Sequence, residues 1–262
     1  MDFNKMVESK WFRGFDWFYR LLIINLITIV IPVALAIGPL LIYYNKEFYV
    51  FLIIGLAFAA FAFIPCITTS FFMIKHYKEE KAGNVFILYF KNLWIVFKNI
   101  YLYELIVIPF GFAFLYGSIH YWSLLGPENF TGFDIWGIII IFGFIISFFC
   151  LCALVFSLVN IPMIVSYFRM KTFDLFKFSF YIAFRYFFRT FLYLLIFFGP
   201  IYLAIWAPSI FLPFYALFGI SSPLFLIYFL SRKFFWYLCR NIDDVKDMEK
   251  YDFKGEENET RN

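Results

Sequence analysis

Charge is scarce in this chain. Asp, Glu, Lys and Arg make up 15% of its 262 residues, against about 25% in an ordinary globular protein, and histidine occurs only as His76 and His120. No His, Cys and carboxylate cluster has metal-ligand spacing, no nucleophile stands beside a base, and no Gly-rich loop is set to cradle a phosphate. No enzymatic activity, cofactor or nucleic-acid partner is therefore expected. Cysteine is equally sparse. Cys66, Cys150 and Cys152 fall inside apolar runs and Cys239 follows the last one. None occupies a loop where it could pair, so a disulfide framework is not expected, and the four read as small apolar residues.

Apolar and aromatic residues fill the space. The chain is 64% apolar and 26% aromatic, with 43 Phe, more than a soluble domain can hide from water. Uncharged runs cover residues 21–45, 48–74, 105–127, 135–168 and 190–231. A hydrocarbon core of ~30 Å needs roughly 20 helical residues, so each run is long enough to cross and the last can cross twice. Backbone groups find no water there, so each crossing must be a helix. The expected fold is an all-α polytopic membrane bundle of six transmembrane helices. The first run exceeds the ~7–15 apolar residues of a signal peptide and leads straight into further spans, so no cleavable signal is expected.

The few charges are placed asymmetrically. Of 22 Lys and Arg residues, all but Lys46 lie in the segments on one side of the proposed spans. The positive-inside bias assigns that side to the cytoplasm, with both termini there, and the expected location is a bacterial cytoplasmic membrane. The outer loops are short. Asn129-Phe130-Thr131 is a glycosylation triplet only in a host that glycosylates secreted proteins.

Three segments on the basic side are too apolar for loops and too polar-striped for spans: 1–20, 84–99 and 174–189. In the first, Phe3, Val7, Trp11, Phe15 and Phe18 recur at helical spacing. In the second, Asn84, Lys91 and Lys98 fall seven apart. In the third, Asp174, Lys177, Tyr181, Arg185 and Arg189 form the polar stripe. Such helices lie in the headgroup plane, where anionic lipid head groups attract their basic stripes. They either anchor the bundle or offer a docking surface to a soluble partner. Residues 21–231 form the membrane domain and 232–262 a cytoplasmic tail. Lys98 and Arg189 each precede a proline, Pro109 and Pro200, by the same interval, and Pro65 and Pro162 sit near the inner ends of their runs. The pattern hints at a parallel internal repeat.

Ionisable groups at membrane depth are few. Glu104 lies near the inner interface, read as snorkelling or pairing with Lys98 or Arg189. His120 reads as an interface residue beside Tyr121 and Trp122. Uncharged polar residues are more numerous: Asn25, Thr68, Thr69, Ser70, Ser157, Asn160, Ser221 and Ser222. Asn and Ser bond between helices in lipid, and prolines free carbonyls that bind substrate where they line a cavity. The candidate polar or kink positions are Asn25, Pro65, Thr68, Glu104 and Asn160.

The stretch Phe63-Ile64-Pro65-Cys66-Ile67-Thr68-Thr69-Ser70-Phe71-Phe72-Met73-Ile74-Lys75, followed by Glu79-Glu80 and residues 90–98, resembles the YesL-like family of bacterial membrane proteins. Asn25 fits that family's early asparagine in the first span, Pro65 and Thr68 its proline followed by hydroxyl residues late in the second. The resemblance implies association with sugar-uptake systems, hence an accessory role beside the membrane subunits of a sugar importer. The alternative is a small permease, or a substrate-capturing subunit, for a neutral solute.

Overall fold

The computed structural model describes residues 10–46, 48–78, 84–126, 134–240 and 252–253. The Asn129-Phe130-Thr131 triplet, Glu79-Glu80, the first nine residues and nearly all of the tail after Arg240 lie outside the described residues.

Eight helices are present among the described residues: α1 (Lys10–Lys46), α2 (Tyr49–Lys78), α3 (Val85–Leu124), α4 (Ile135–Tyr167), α5 (Thr172–Arg185), α6 (Phe187–Trp206), α7 (Pro208–Phe218) and α8 (Ser221–Arg240). A two-residue strand, Phe168–Arg169, pairs antiparallel with Asp252–Phe253. α1 from Gly14, α2, α3, α4 and α6 are each long and apolar enough to cross a membrane. α7 and α8, bent by 61° where they meet, are together long and apolar enough for a sixth. The protein is an all-α, multi-pass membrane bundle. α2 and α4 form its centre: they pack on each other, α2 also touches α1, α3 and α8, and α4 touches α3, α5, α6 and α8.

Two boundaries expected between an interfacial helix and a span are continuous helix. α1 runs through residue 20 without a break, and α3 passes from the striped segment 84–99 into the third span as one helix of 40 residues. At about 1.5 Å per residue α3 is ~60 Å long, twice the hydrocarbon core. Its continuity has a physical cause. Asn84 caps the start by accepting from the Phe86 N–H at 3.0 Å, and Pro109 is the first proline thereafter. The buried residues Val85, Tyr89, Val96, Ile100, Tyr103, Glu104 and Val107 hold one stripe across the boundary. One face thus serves both parts.

The third amphipathic segment does stand apart. Tyr186 leaves helical geometry, with φ −114° and ψ 46°, and separates α5 from α6. On α5, Leu175, Phe178, Ser179, Ile182 and Ala183 are buried against α4 and α3, while Lys177, Tyr181 and Arg185 are exposed. Protein, not lipid, covers its inward stripe.

Candidate functional site

The buried polar side chains form a layer through the basic half of the bundle. Its best-satisfied member is Asn25. The sixth span breaks at Gly219-Ile220, between α7 and α8. A break inside hydrocarbon strands backbone groups that water cannot reach. Asn25, fully buried on α1, supplies them. Its Oδ1 accepts from the N–H groups of Ile220 at 2.8 Å and Ser221 at 3.0 Å. Its Nδ2 donates to the carbonyl of Ala216 at 2.7 Å and, more weakly, to that of Tyr215 at 3.4 Å. Gly219 leaves room for the Tyr215 ring, from which a Cβ there would stand 2.1 Å.

One turn along α1, the Thr28 hydroxyl meets Ser70 of α2 and the Tyr89 hydroxyl of α3 at 3.1 Å. Tyr89 donates in turn to the Cys66 carbonyl at 3.1 Å. Three helices are joined there. A second knot joins α3, α4 and α5, with Ser157 at 3.3 Å from the Tyr103 hydroxyl and 2.6 Å from Ser179. A third links α4 to α6, where Asn160 Nδ2 donates to the Phe156 carbonyl at 3.0 Å and to Thr190 at 3.3 Å. At the end of α4, Lys75 Nζ donates to the Ser166 carbonyl at 3.2 Å, the favourable place for a cation at a helix C-terminus.

Glu104 is different. It is fully buried, and neither carboxylate oxygen has a hydrogen-bond partner among the described residues. The pairing with Lys98 or Arg189 expected from the sequence is not made, and the side chain does not reach the interface. Thr69 Oγ1, Asn160 Oδ1, the Tyr193 hydroxyl and Ser221 Oγ are likewise buried without partners. His120 is exposed and stacked on Tyr116, ring centres 5.9 Å apart.

The five candidate positions are all buried, on three helices plus α4: Asn25 on α1, Pro65 and Thr68 on α2, Glu104 on α3 and Asn160 on α4. They do not form one pocket. Asn25 serves the broken span, Thr68 bonds back to the Ile64 carbonyl at 2.8 Å, and Asn160 serves the α4–α6 contact. Thr28, Tyr89, Tyr103, Ser179 and Thr190 complete the layer and were not singled out in the sequence. Helix phase marks some of them: Thr28 shares a face with Asn25, and Tyr89 lies off the stripe of Lys91 and Lys98.

Beside this layer, α2, α4, α6 and α8 line a partly open cavity of about 190 Å³ whose lining residues, including Phe63, Ile67, Val155, Val159, Phe197 and Ile227, are all apolar. A shallower hollow of about 290 Å³ at the basic end is lined by Asn99, Arg169, Lys171 and neighbouring apolar residues. Among the described residues no three His, Cys, Asp or Glu side chains are grouped to hold a metal. No family model matches the sequence, and neither a curated protein nor a solved structure matches it.

Proposed function

We propose that this chain is a membrane-embedded accessory component without enzymatic activity, working through its basic face, with both termini in the cytoplasm of a bacterium. The observation that supports this reading is the unequal pairing of its charges. Asp16–Arg20, at 2.8 Å, is the one ion pair among the described residues. Lys91, Lys98, Arg169, Lys171, Lys177, Arg185, Arg189, Arg232 and Lys233 lie on the same side without a carboxylate partner there. Such a rim suits anionic head groups or an acidic protein surface. The buried polar groups, by contrast, are mostly engaged in holding helices together. The YesL-like resemblance makes the membrane subunits of a sugar importer the partner to test.

The direct test is co-purification of the full chain with tagged permease subunits in mild detergent, together with uptake of labelled sugar in cells lacking the chain. A Lys91→Glu, Lys177→Glu, Arg185→Glu variant that stays folded should lose the partner. Equal recovery of the permease with that variant would defeat the reading.

A second reading, a small permease for a neutral solute, draws on Glu104, an unpartnered carboxyl within the bundle. Labelled-sugar flux into proteoliposomes that disappears in Glu104→Leu would favour it. The apolar lining of the cavity between α2, α4, α6 and α8 counts against a polar solute.

A further inference from the structure

The seam between α6 and α8 carries three unlike features in a row. At its basic end is Arg189, exposed and without a carboxylate partner among the described residues, its guanidinium 4.1 Å from the ring centre of Phe234 on α8. One turn along α6 is Tyr193, only 1% exposed, with a hydroxyl that has no hydrogen-bond partner among the described residues. A further turn along are Phe197 and Phe198, walls of the apolar cavity that α8 closes with Leu224 and Ile227. α6 and α8 are in contact, and Phe234 lies two turns from Ile227 on α8. The order is a cation, a buried hydroxyl, then an apolar cavity. From Arg189 to Phe197 the helix rises about 12 Å, close to half of a ~30 Å hydrocarbon core.

We propose that this seam is a binding site for one anionic phospholipid of the leaflet on the basic side. Its phosphate pairs with Arg189, its ester region accepts a hydrogen bond from the Tyr193 hydroxyl, and one acyl chain fills the cavity. The occupant follows from chemistry. The lining of the cavity is apolar and offers no group to satisfy a peptide backbone. Arg189 supplies a charge at the head of the seam, and a guanidinium matches phosphate geometry. The site is independent of any role in sugar uptake.

The test is native mass spectrometry of the purified full chain, titrated separately with phosphatidylglycerol, with phosphatidylcholine of the same acyl chains, and with inorganic phosphate. One phosphatidylglycerol should be retained per chain at concentrations where phosphatidylcholine is lost. Arg189→Gln should weaken that retention on the order of fivefold, the equivalent of one interfacial charge, and Tyr193→Phe should weaken it less. Val159→Trp, which fills the cavity, should abolish it; Val155→Phe serves the same purpose if the larger residue prevents folding. Equal retention of the two lipids, or retention unchanged in both cavity-filled variants, overturns the proposal. Retention of inorganic phosphate at the concentrations that retain phosphatidylglycerol also overturns it, because the site would then recognise a free anion.

Discussion

The two ends of this bundle are built differently. Toward the basic end, buried residues run almost continuously from Pro65 to Ile74 in α2 and without a gap from Asn160 to Tyr167 in α4. Toward the other end each of those helices buries a single glycine, Gly55 or Gly137, and α7 buries nothing. Every long-range side-chain bond described above lies in the first region. In the second, helices meet through close approach at small residues: a Cβ on Gly143 would stand 2.6 Å from the Tyr121 ring, and one on Gly117 2.9 Å from Ser147 Oγ. The difference teaches where a membrane protein finds cohesion. Lipid is as apolar as Leu, so apolar burial gives helices no reason to associate, and packing and hydrogen bonds must supply it. Here the bonds are concentrated at one end, which makes that end the rigid one.

The sharpest way to break the comparison is at Asn25. Asn25→Leu removes the groups that satisfy Ile220, Ser221 and Ala216, and each stranded buried group costs about 1–3 kcal/mol. A loss of about 3 kcal/mol is expected, read as a lower melting temperature in detergent. The matching change at the other end, Asn45→Leu, removes an exposed bond to the Leu41 carbonyl and should cost a few tenths of a kcal/mol, roughly a surface substitution. Equal effects would mean that cohesion is evenly distributed. Glu104 comes next, with the opposite sign. A buried carboxyl without a hydrogen bond is costly, by about 1–3 kcal/mol for an unsatisfied polar group, and an apolar side chain of similar size removes that cost. Glu104→Leu should therefore raise the melting temperature by an amount equivalent to about 2 kcal/mol. If it lowers it as Asn25→Leu does, Glu104 belongs to the cohesive layer after all.

Much of this was legible from residue order and some was not. Run length alone gave the six crossings, because few physical alternatives exist for long uncharged segments. The doubling of the last run was readable too, but its bend was signalled only by Gly219, Ser221, Ser222 and Pro223, and the group that stabilises the bend lies some 190 residues away, on α1. No local pattern names such a partner. The striped segment 84–99 reads as a separate helix because its polar residues are conspicuous; its apolar stripe, continued through Tyr103 and Val107, carries the contrary information. The same stripe explains the mispairing of Glu104. Lys98 is six residues earlier, about 240° away around the helix at 100° per residue, so the two cannot share a face. Nearness to the interface suggested a pair that helix phase forbids.

The smaller effects test whether the knots are independent. Ser157 bonds to Ser179 at 2.6 Å and also faces Tyr103, so Ser157→Ala, Ser179→Ala and the double variant form a cycle. The coupling should be about 0.6–1.7 kcal/mol, the range for such bonds between membrane helices, because unfolded helices in lipid find other partners. A comparable cycle across the other end has no bond to remove. Ile139→Leu there, on a residue 51% exposed to lipid, should shift the melting temperature by the equivalent of less than about 0.5 kcal/mol. If the serine cycle shows no coupling, hydroxyl bonding cannot explain the rigidity of the basic end. Tight packing around Tyr103, Ile161 and Phe178 would then have to carry it, and the two ends would differ in how closely their helices fit instead of in how they bond.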